Sequence, residues 1–411
     1  MKLLVLIDSI PYPPHRGYLQ MAYHHIKRLS EHHVIDLIAF SNRDHDAGDL
    51  GELPEWCRTI RVVPRPRWKA WANLGRALVG RGPLSVAFFQ AQEMVLAVRE
   101  ALARERYDVV VVEMGRMAQY LPAGYDGAAV LNMVDPVVLS LQRSMAWRPW
   151  FARPAISSEI ARLTRFERLH AKRFDRVLLI SRKDIDEYSA LLDGARLDWV
   201  PYATETRNRP SLRREERTPG MILLSGNMFY APNVDAVEYF CQHIYPRVRQ
   251  ALPEANLWIV GARPKPSVQR WSSDPTVHVT GSVPDMAPYL DRAMVSICPV
   301  RLAIGTQTKV LEAMAAGTPV VTTSAGNSGI NAVDGTALYE ADSPEDFAAR
   351  VVSLLNGEQW EELSVAGARF VDENFSWDAS ARRLESVLHE VIADATVALP
   401  DEPRSAGFVS P

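Results

Sequence analysis

The sequence predicts an α/β protein of two doubly wound, parallel-sheet domains, and three observations carry that expectation. Through the first half, short apolar runs alternate with amphipathic helical patterns, beginning with Lys2 to Asp8. A polar stretch, Thr204 to Pro219, then interrupts the pattern, which restarts at Met221. Near the end of the second half, Cys298 to Thr323 reads as strand, loop, helix and strand in one pass.

In order, Lys2 to Asp8 is a buried strand that enters the loop Pro11-Tyr-Pro-Pro-His-Arg-Gly17. A helix carrying Met21, Ile26 and Leu29 follows, then a strand from Val34 to Phe40. No Gly-x-Gly-x-x-Gly follows the first strand, so a dinucleotide fingerprint is absent there. His24-His25 and His32-His33 match no standard zinc spacing and read as surface helix and turn residues. Asp44-His45-Asp46 has the Asp-x-Asp form of a metal-binding pair but sits in the polar stretch Asn42 to Asp49, which reads as a solvated loop. Arg61 to Arg81 interleaves basic residues with Trp68 and Trp71, and Arg143 to Arg153 does so with Trp147, Trp150 and Phe151. Such regions suit a membrane interface or a lipid-linked acceptor, and equally suit covers over a sheet. Tyr107 to Glu113 and Ala129 to Val134 are buried strands. The second ends at Asp135, where open α/β sheets bind ligands. Glu159 to Arg173 is a charged amphipathic helix, and Phe174 to Ser181 enters the last strand of this half.

In the second half the strands are Met221 to Ser225, Leu257 to Val260, Val277 to Thr280 and Met294 to Val300, with a helix over Val234 to Phe240. This divides the chain into a first domain at 1–205, a linker at 206–219, a second domain at 220–375, a helix at 376–395 and a disordered tail at 396–411. Two such domains joined by a linker place a cleft between them. At 411 residues each has room for its own core. A formal charge of −3, with 47% apolar and 23% charged residues, gives no global attraction to nucleic acid or anionic lipid. Cys57, Cys241 and Cys298 lie in or beside apolar runs without motif spacing and read as reduced core residues of a cytoplasmic protein. Leu3 to Ile7 is too short for a signal sequence, and no run approaches the roughly 18 apolar residues of a membrane span.

Chemistry concentrates after Val300. Ile304-Gly305-Thr306 turns the chain, Thr308 to Ala316 is made of good helix formers, and Gly317 with Pro319 stops the helix. A Gly305-Thr306-Gln307-Thr308 loop opening a helix presents backbone N–H groups at the positive end of a helix dipole, an anion site suited to phosphate. Lys309 and Glu312 share a face one turn in. A cation for phosphate beside a carboxylate for sugar hydroxyls suits a nucleotide sugar. An ordinary crossover with a solvated Lys–Glu pair shows the same spacing.

This stretch resembles the donor-site signature of retaining glycosyltransferases of family four, which have the GT-B fold. The family pattern is Glu-Gly-Phe-Gly-Leu-x-x-Leu-Glu-Ala-Met-Ala-x-Gly-x-Pro-Val-Val, and Leu311 to Val321 follows its second half, with Glu312 at the second glutamate. Ile304 stands at the first glutamate, and Thr306 and Gln307 replace Phe and Gly. Branches with Gly-x-x-x-Lys-x-x-Glu resemble the chain more closely. The resemblance implies two Rossmann-like domains facing each other across a cleft, with a C-terminal helix crossing back to the first. It implies that the loop ending in Arg16 and Gly17 is on the acceptor side, that Gly226-Asn227 faces the donor diphosphate and that Ser282-Val283 cradles the nucleobase. Gly326 to Gly329 resembles the closing donor-side loop. Where most members carry an Arg in the Gly226 loop and a Lys a few residues on, this chain has Asn227 and no Lys through Asn233.

The expected function is therefore a retaining, hexosyl-type glycosyltransferase acting in polysaccharide or glycoconjugate synthesis. Its substrates would be a nucleotide diphosphate sugar and an acceptor hydroxyl, with no metal or other cofactor and no nucleic-acid partner. Lys309 is the expected catalytic cation, with Arg301 the next candidate, and Asp135 is the other expected catalytic residue, on the acceptor side. Gly226, Asn227, Ser282, Val283, Gly305, Thr306, Gln307, Thr308 and Glu312 form the donor set. Location at the inner face of a membrane, through Arg61–Arg81 or Arg143–Arg153, accompanies this reading. The competing class is a non-catalytic nucleotide-sugar-binding partner subunit of another transferase.

Overall fold

The computed structural model describes residues 1–397 except 15–16, 42–48, 66, 81, 135, 146–147, 207–212 and 304. Runs that are apolar on both faces, such as Val-Val-Val-Val in 109–112, can be satisfied only inside a sheet covered on both sides. That is where they lie. The first sheet contains β1 (Lys2–Ile7), β2 (Val34–Phe40), β3 (Thr59–Val63), β4 (Val109–Glu113), β5 (Ala129–Val134), β6 (Arg176–Leu179) and β7 (Leu197–Trp199). Their order is β3-β2-β1-β4-β5-β6-β7, and every pairing is parallel. The second sheet contains β8 (Met221–Ser225), β9 (Asn256–Val260), β10 (Val277–Gly281), β11 (Val295–Cys298), β12 (Val320–Thr322) and β13 (Tyr339–Glu340), ordered β10-β9-β8-β11-β12-β13 and again all parallel. Alternate residues feed the two faces. Leu3, Val5 and Ile7 enter one core and Leu4 and Leu6 the other, while Ile222 and Leu224 divide from Met221 and Leu223 in the same way. The strand order reverses between β1 and β4 in one sheet and between β8 and β11 in the other. These reversals open the crevices where such sheets hold ligands.

The helix Trp377–Val397 leaves the second domain and packs on Gly17–Leu29 of the first. Trp377, Leu384, Val387, Leu388 and Val391 join the first domain's core. Each such side chain, fully buried, stabilises the crossing by about 1.5–3 kcal/mol. This packing corrects the surface reading of two histidines. His25 is buried with its Nε2 2.9 Å from Ser380 Oγ, and the His24 ring stacks on Trp377 at 4.3 Å. Burial pushes His25 down to about 3 and His24 to about 4.

The polar composition of 206–219 concealed a structural residue. Arg217 is buried and donates to the carbonyls of Leu290, Ala293, Ala316 and Gly317 and to Thr318 Oγ1, at 2.6–3.1 Å. It thereby satisfies the end of the helix Thr308–Ala315, whose last carbonyls have no partner within the helix. The three cysteines are free and buried. Among the described residues, no helix is long and apolar enough to cross a membrane. The tail expected to be disordered lies, from 398 onward, outside the described residues.

Candidate functional site

Two glycines set the floor of the site. After β8 the chain passes through Gly226, and after β9 through Gly261, both at positive φ (149° and 152°). A Cβ on Gly261 would lie 1.7 Å from the Gly226 carbonyl oxygen, so only glycine lets these two loops cross. The Met228 amide donates to Ala262 O at 2.8 Å and fixes the crossing. Asn227 then organises the turn. Its side-chain oxygen accepts from the Phe229 amide at 3.1 Å, and its carbonyl accepts from the Tyr230 amide and from Asn233 Nδ2, each at 3.1 Å. The helix Ala231–Tyr239 starts from that turn.

Opposite it, beyond β11, Gly305 adopts φ 62° and the helix Thr308–Ala315 begins after Gln307. A Cβ on Gly329 would sit 2.6 Å from Gly305 O, so the 326–329 segment lies directly against this loop. The Thr306 hydroxyl is shared between Ile180 O of the first domain and Gly329 O, at 3.3 Å each. It therefore ties this loop to the first domain. Lys309 reaches across to the other helix, its ammonium donating to Asn233 Oδ1 at 2.6 Å. Glu312 is half-buried one turn later. Burial raises its carboxyl above the ordinary range, and the Lys309 charge pulls it partly back.

These groups surround a cleft of about 630 Å³. Gly226, Asn227, Ser282, Val283, Thr306, Gln307, Thr308, Lys309 and Glu312 all line it, joined by Tyr230, Asn233, Gly261 and Met286. Gly305 does not, because its carbonyl is turned under Gly329. A smaller cavity of about 240 Å³ continues past Glu312 and Met286, between Asp285, Ala287, Leu290 and Ala316 of the second domain and Thr204 and Glu205 of the crossing. The arrangement offers two helix amino termini, one cation and one carboxylate. That combination suits a diphosphate joined to hydroxyl-bearing groups.

Two cations change status. Arg301, the expected substitute for Lys309, is engaged by both carboxylate oxygens of Asp235 and packs 5.0 Å from the Tyr239 ring. Arg263 and Lys265, which the sequence reading passed over, stand 5.2 Å from the Phe229 ring on the segment following Gly261. The only sequence signal for them was their place just after a strand-ending glycine.

On the first domain, Arg16 and Asp135 lie outside the described residues, as do Asp44 and Asp46. Gly17 opens its helix with a Cβ position 3.6 Å from the Tyr202 ring and does not line that cleft. What occupies the carboxyl edge of this sheet is a buried polar group the sequence reading did not single out. Asp8, after β1, is fully buried and paired with Arg116, whose guanidinium lies 4.5 Å from the Phe89 ring. Desolvation nevertheless raises the Asp8 carboxyl above its usual range. Glu113 ends β4, accepts from Asn132 Nδ2 at 2.9 Å, and is pushed up to about 8 by burial. Asp8 Oδ1 and Asn132 Oδ1 have no partner among the described residues. The chain leaves β5 through Val134 at φ 60°, a strained conformation for a β-branched residue.

Comparison with known proteins agrees with this architecture. Residues 219–357, the core of the second domain, match the family described as glycosyl transferases group 1. No curated protein matches the chain. Among solved structures, a sucrose-phosphate synthase from Thermosynechococcus elongatus superposes with a TM-score of 0.66 at 16% identity, covering 96% of this chain and 100% of that one. HepE from Anabaena, in complex with UDP, gives 0.63 at 13% identity, covering 95% and 100%. A glycosyltransferase from Rickettsia africae gives 0.61 at 12% identity, covering 95% and 98%. The fold is GT-B, two Rossmann-like domains with the last helix returning to the first.

Proposed function

We propose that the protein transfers a sugar, with retention and without a metal ion, from a nucleoside diphosphate sugar to an acceptor hydroxyl. One observation carries the reading. Lys309 is held by Asn233 between two helix amino termini, with Glu312 one turn further along the same cleft. As the bond from the anomeric carbon to the diphosphate breaks, negative charge gathers on the departing phosphate. Lys309 and the first-turn amides at Thr308 are the groups placed to stabilise it. Transfer yields the glycoside, the nucleoside diphosphate and the acceptor's proton. Glu312 accepts hydrogen bonds from ribose hydroxyls, Ser282 and Val283 face the base, and Asp135 remains the proposed acceptor-side group. The solved HepE complexes contain UDP and UDP-glucose, which makes uridine nucleotides the first probes to use.

The test pairs calorimetry with turnover. UDP and UDP-glucose should bind the full chain, and acceptor should then release free nucleotide at a rate that collapses in Lys309→Ala. Asn227 at the position where the resemblance implies an Arg, with no Lys following through Asn233, favours the second reading, a nucleotide-sugar-binding subunit. Tight donor binding with no nucleotide release for any acceptor class would decide for it. Exposed Trp68, Trp71, Trp150 and Phe151 support the peripheral-membrane part of the proposal. Co-sedimentation with vesicles containing anionic lipid tests that part separately.

A further inference from the structure

Outside the cleft, the tertiary structure assembles a group that neither sequence segment announces. His33 stands just before β2, and its Nε2 lies 2.7 Å from Glu385 Oε1 on the returning helix. Four residues along that helix is His389, so Glu385 and His389 share one face. The two imidazole rings are 6.2 Å apart at an interplanar angle of 68°. One ligand atom from each of His33, Glu385 and His389 can be chosen so that all three lie within 4.8 Å of one another.

We propose that His33, Glu385 and His389 bind one divalent transition-metal ion, Zn²⁺ by the chemistry of the set, which ties the returning helix to the first domain. Two imidazoles and a carboxylate form a borderline nitrogen–oxygen donor set, which suits Zn²⁺ and not the all-oxygen preference of Ca²⁺ or Mg²⁺. A hydrogen-bonded His–Glu pair alone has no need of His389. The His33 side chain is only 5% exposed, held between Glu385 and the Met1 amino group. Glu385 is 28% exposed and His389 is open to solvent, which gives an ion a path in and leaves positions for water. The Met1 amino group, 3.2 Å from His33 Nδ1, is the polar neighbour on the far side of that ring. Coordination at Nε2 shifts the ring's single proton to Nδ1, and because protons compete with the ion for the imidazole nitrogens, binding weakens on acidification.

The site is remote from the sugar-transfer cleft. His33 precedes the amino end of β2, and the seven residues of that strand carry the chain about 23 Å before it reaches the carboxyl edge. An ion held here takes no part in the chemistry of the cleft.

The probe is ZnCl₂. Full-length chain is stripped with chelator, moved into metal-free buffer near neutral pH and titrated calorimetrically, with thermal unfolding followed in parallel. One ion per chain is expected, at a dissociation constant of about 10 μM or tighter, with a rise in Tm that MgCl₂ does not reproduce. His389→Ala should weaken Zn²⁺ at least about tenfold and abolish the Tm rise, while leaving the metal-free Tm unchanged because His389 is solvent-facing. Glu385→Gln gives a second variant with the same expected loss. Failure of the wild-type chain to take up Zn²⁺ at micromolar concentration would overturn the assignment, and so would equal binding by wild type and His389→Ala. Nucleotide binding, measured in the same samples, reads the cleft independently.

Discussion

The two carboxyl edges of this molecule are built on the same plan and filled in opposite ways. In both domains the strand order reverses beside the first strand, and ligands are expected at that reversal. The second domain fills its edge with backbone. Gly226 and Gly261 let two loops cross, two helices begin there, and one ammonium, Lys309, spans between them. The first domain fills the equivalent edge with buried side chains, Asp8 paired with Arg116 and Glu113 bonded to Asn132. Amides and glycines serve any nucleoside diphosphate, because they recognise charge and close approach. A particular set of buried carboxyls serves a particular acceptor or holds a particular domain together. The second domain's edge is thus the general half of the protein and the first domain's edge the individual half.

The sharpest way to break this contrast is at Lys309. If the second edge works by stabilising developing charge, Lys309→Ala should cut kcat by about 10²–10³ and change donor affinity far less. Lys309→Arg should recover only part of the loss, because a planar fork cannot place its charge where the ammonium sits against Asn233. A kcat within a few-fold of wild type would reduce Lys309 to a structural tie between helices. Arg263 and Lys265 would then be the next cations to replace, since Arg301 is committed to Asp235.

A smaller effect is expected at Glu312. Replacement by Ala should weaken nucleotide binding by about 1–3 kcal/mol, the cost of leaving hydrogen-bonding groups unpaired. Calorimetry with UDP reads this directly, and unchanged affinity would move the ribose elsewhere, toward the cavity beyond Met286.

The first edge predicts a pH effect on stability instead. Glu113 has its folded pKa raised to about 8, so between its ordinary value of 4.5 and about 8 the folded chain holds a proton that the unfolded chain has released. Stability attributable to it therefore falls as pH rises through that window. Glu167, also pushed up to about 8, has the same sign. The buried histidines act only below about pH 6.5, where unfolding would let them charge. Between pH 6.5 and 8.5, Glu113→Gln should flatten the decline in unfolding free energy by about 1–2 kcal/mol, measured by denaturant titration. An unchanged slope would mean that Glu113 is ionised in the folded protein and available to a ligand, and the contrast between the edges would weaken. The smallest expected effect is that of chelation. Excess EDTA should leave transfer intact even where it lowers Tm through the His33 site, and loss of transfer rescued by Mn²⁺ would bring Asp44 and Asp46 into the mechanism.

By itself, the sequence determined what local periodicity and punctuation can determine. Apolar runs such as Val109–Val112 require a covered parallel sheet, and the turn at Gly305, the helix after it and the stop at Gly317 are encoded within about a dozen neighbouring residues. Lys309 and Glu312 were legible because helical spacing alone puts them on one face. The tertiary structure decided every partnership that crosses between strands. It joined Lys309 to Asn233 from 76 residues away, drew Arg301 onto Asp235 from 66, turned Gly305 out of the cleft, and made Arg217 a helix cap within a stretch whose composition is that of a linker. It also gave His33 a partner 352 residues distant, on a helix whose own sequence says only that one face is apolar. The reason is the same in each case. Local signals depend on the pitch of one element, whereas a charge finds its partner according to which strand ends the sheet order makes adjacent, and that order is fixed only when the cores close.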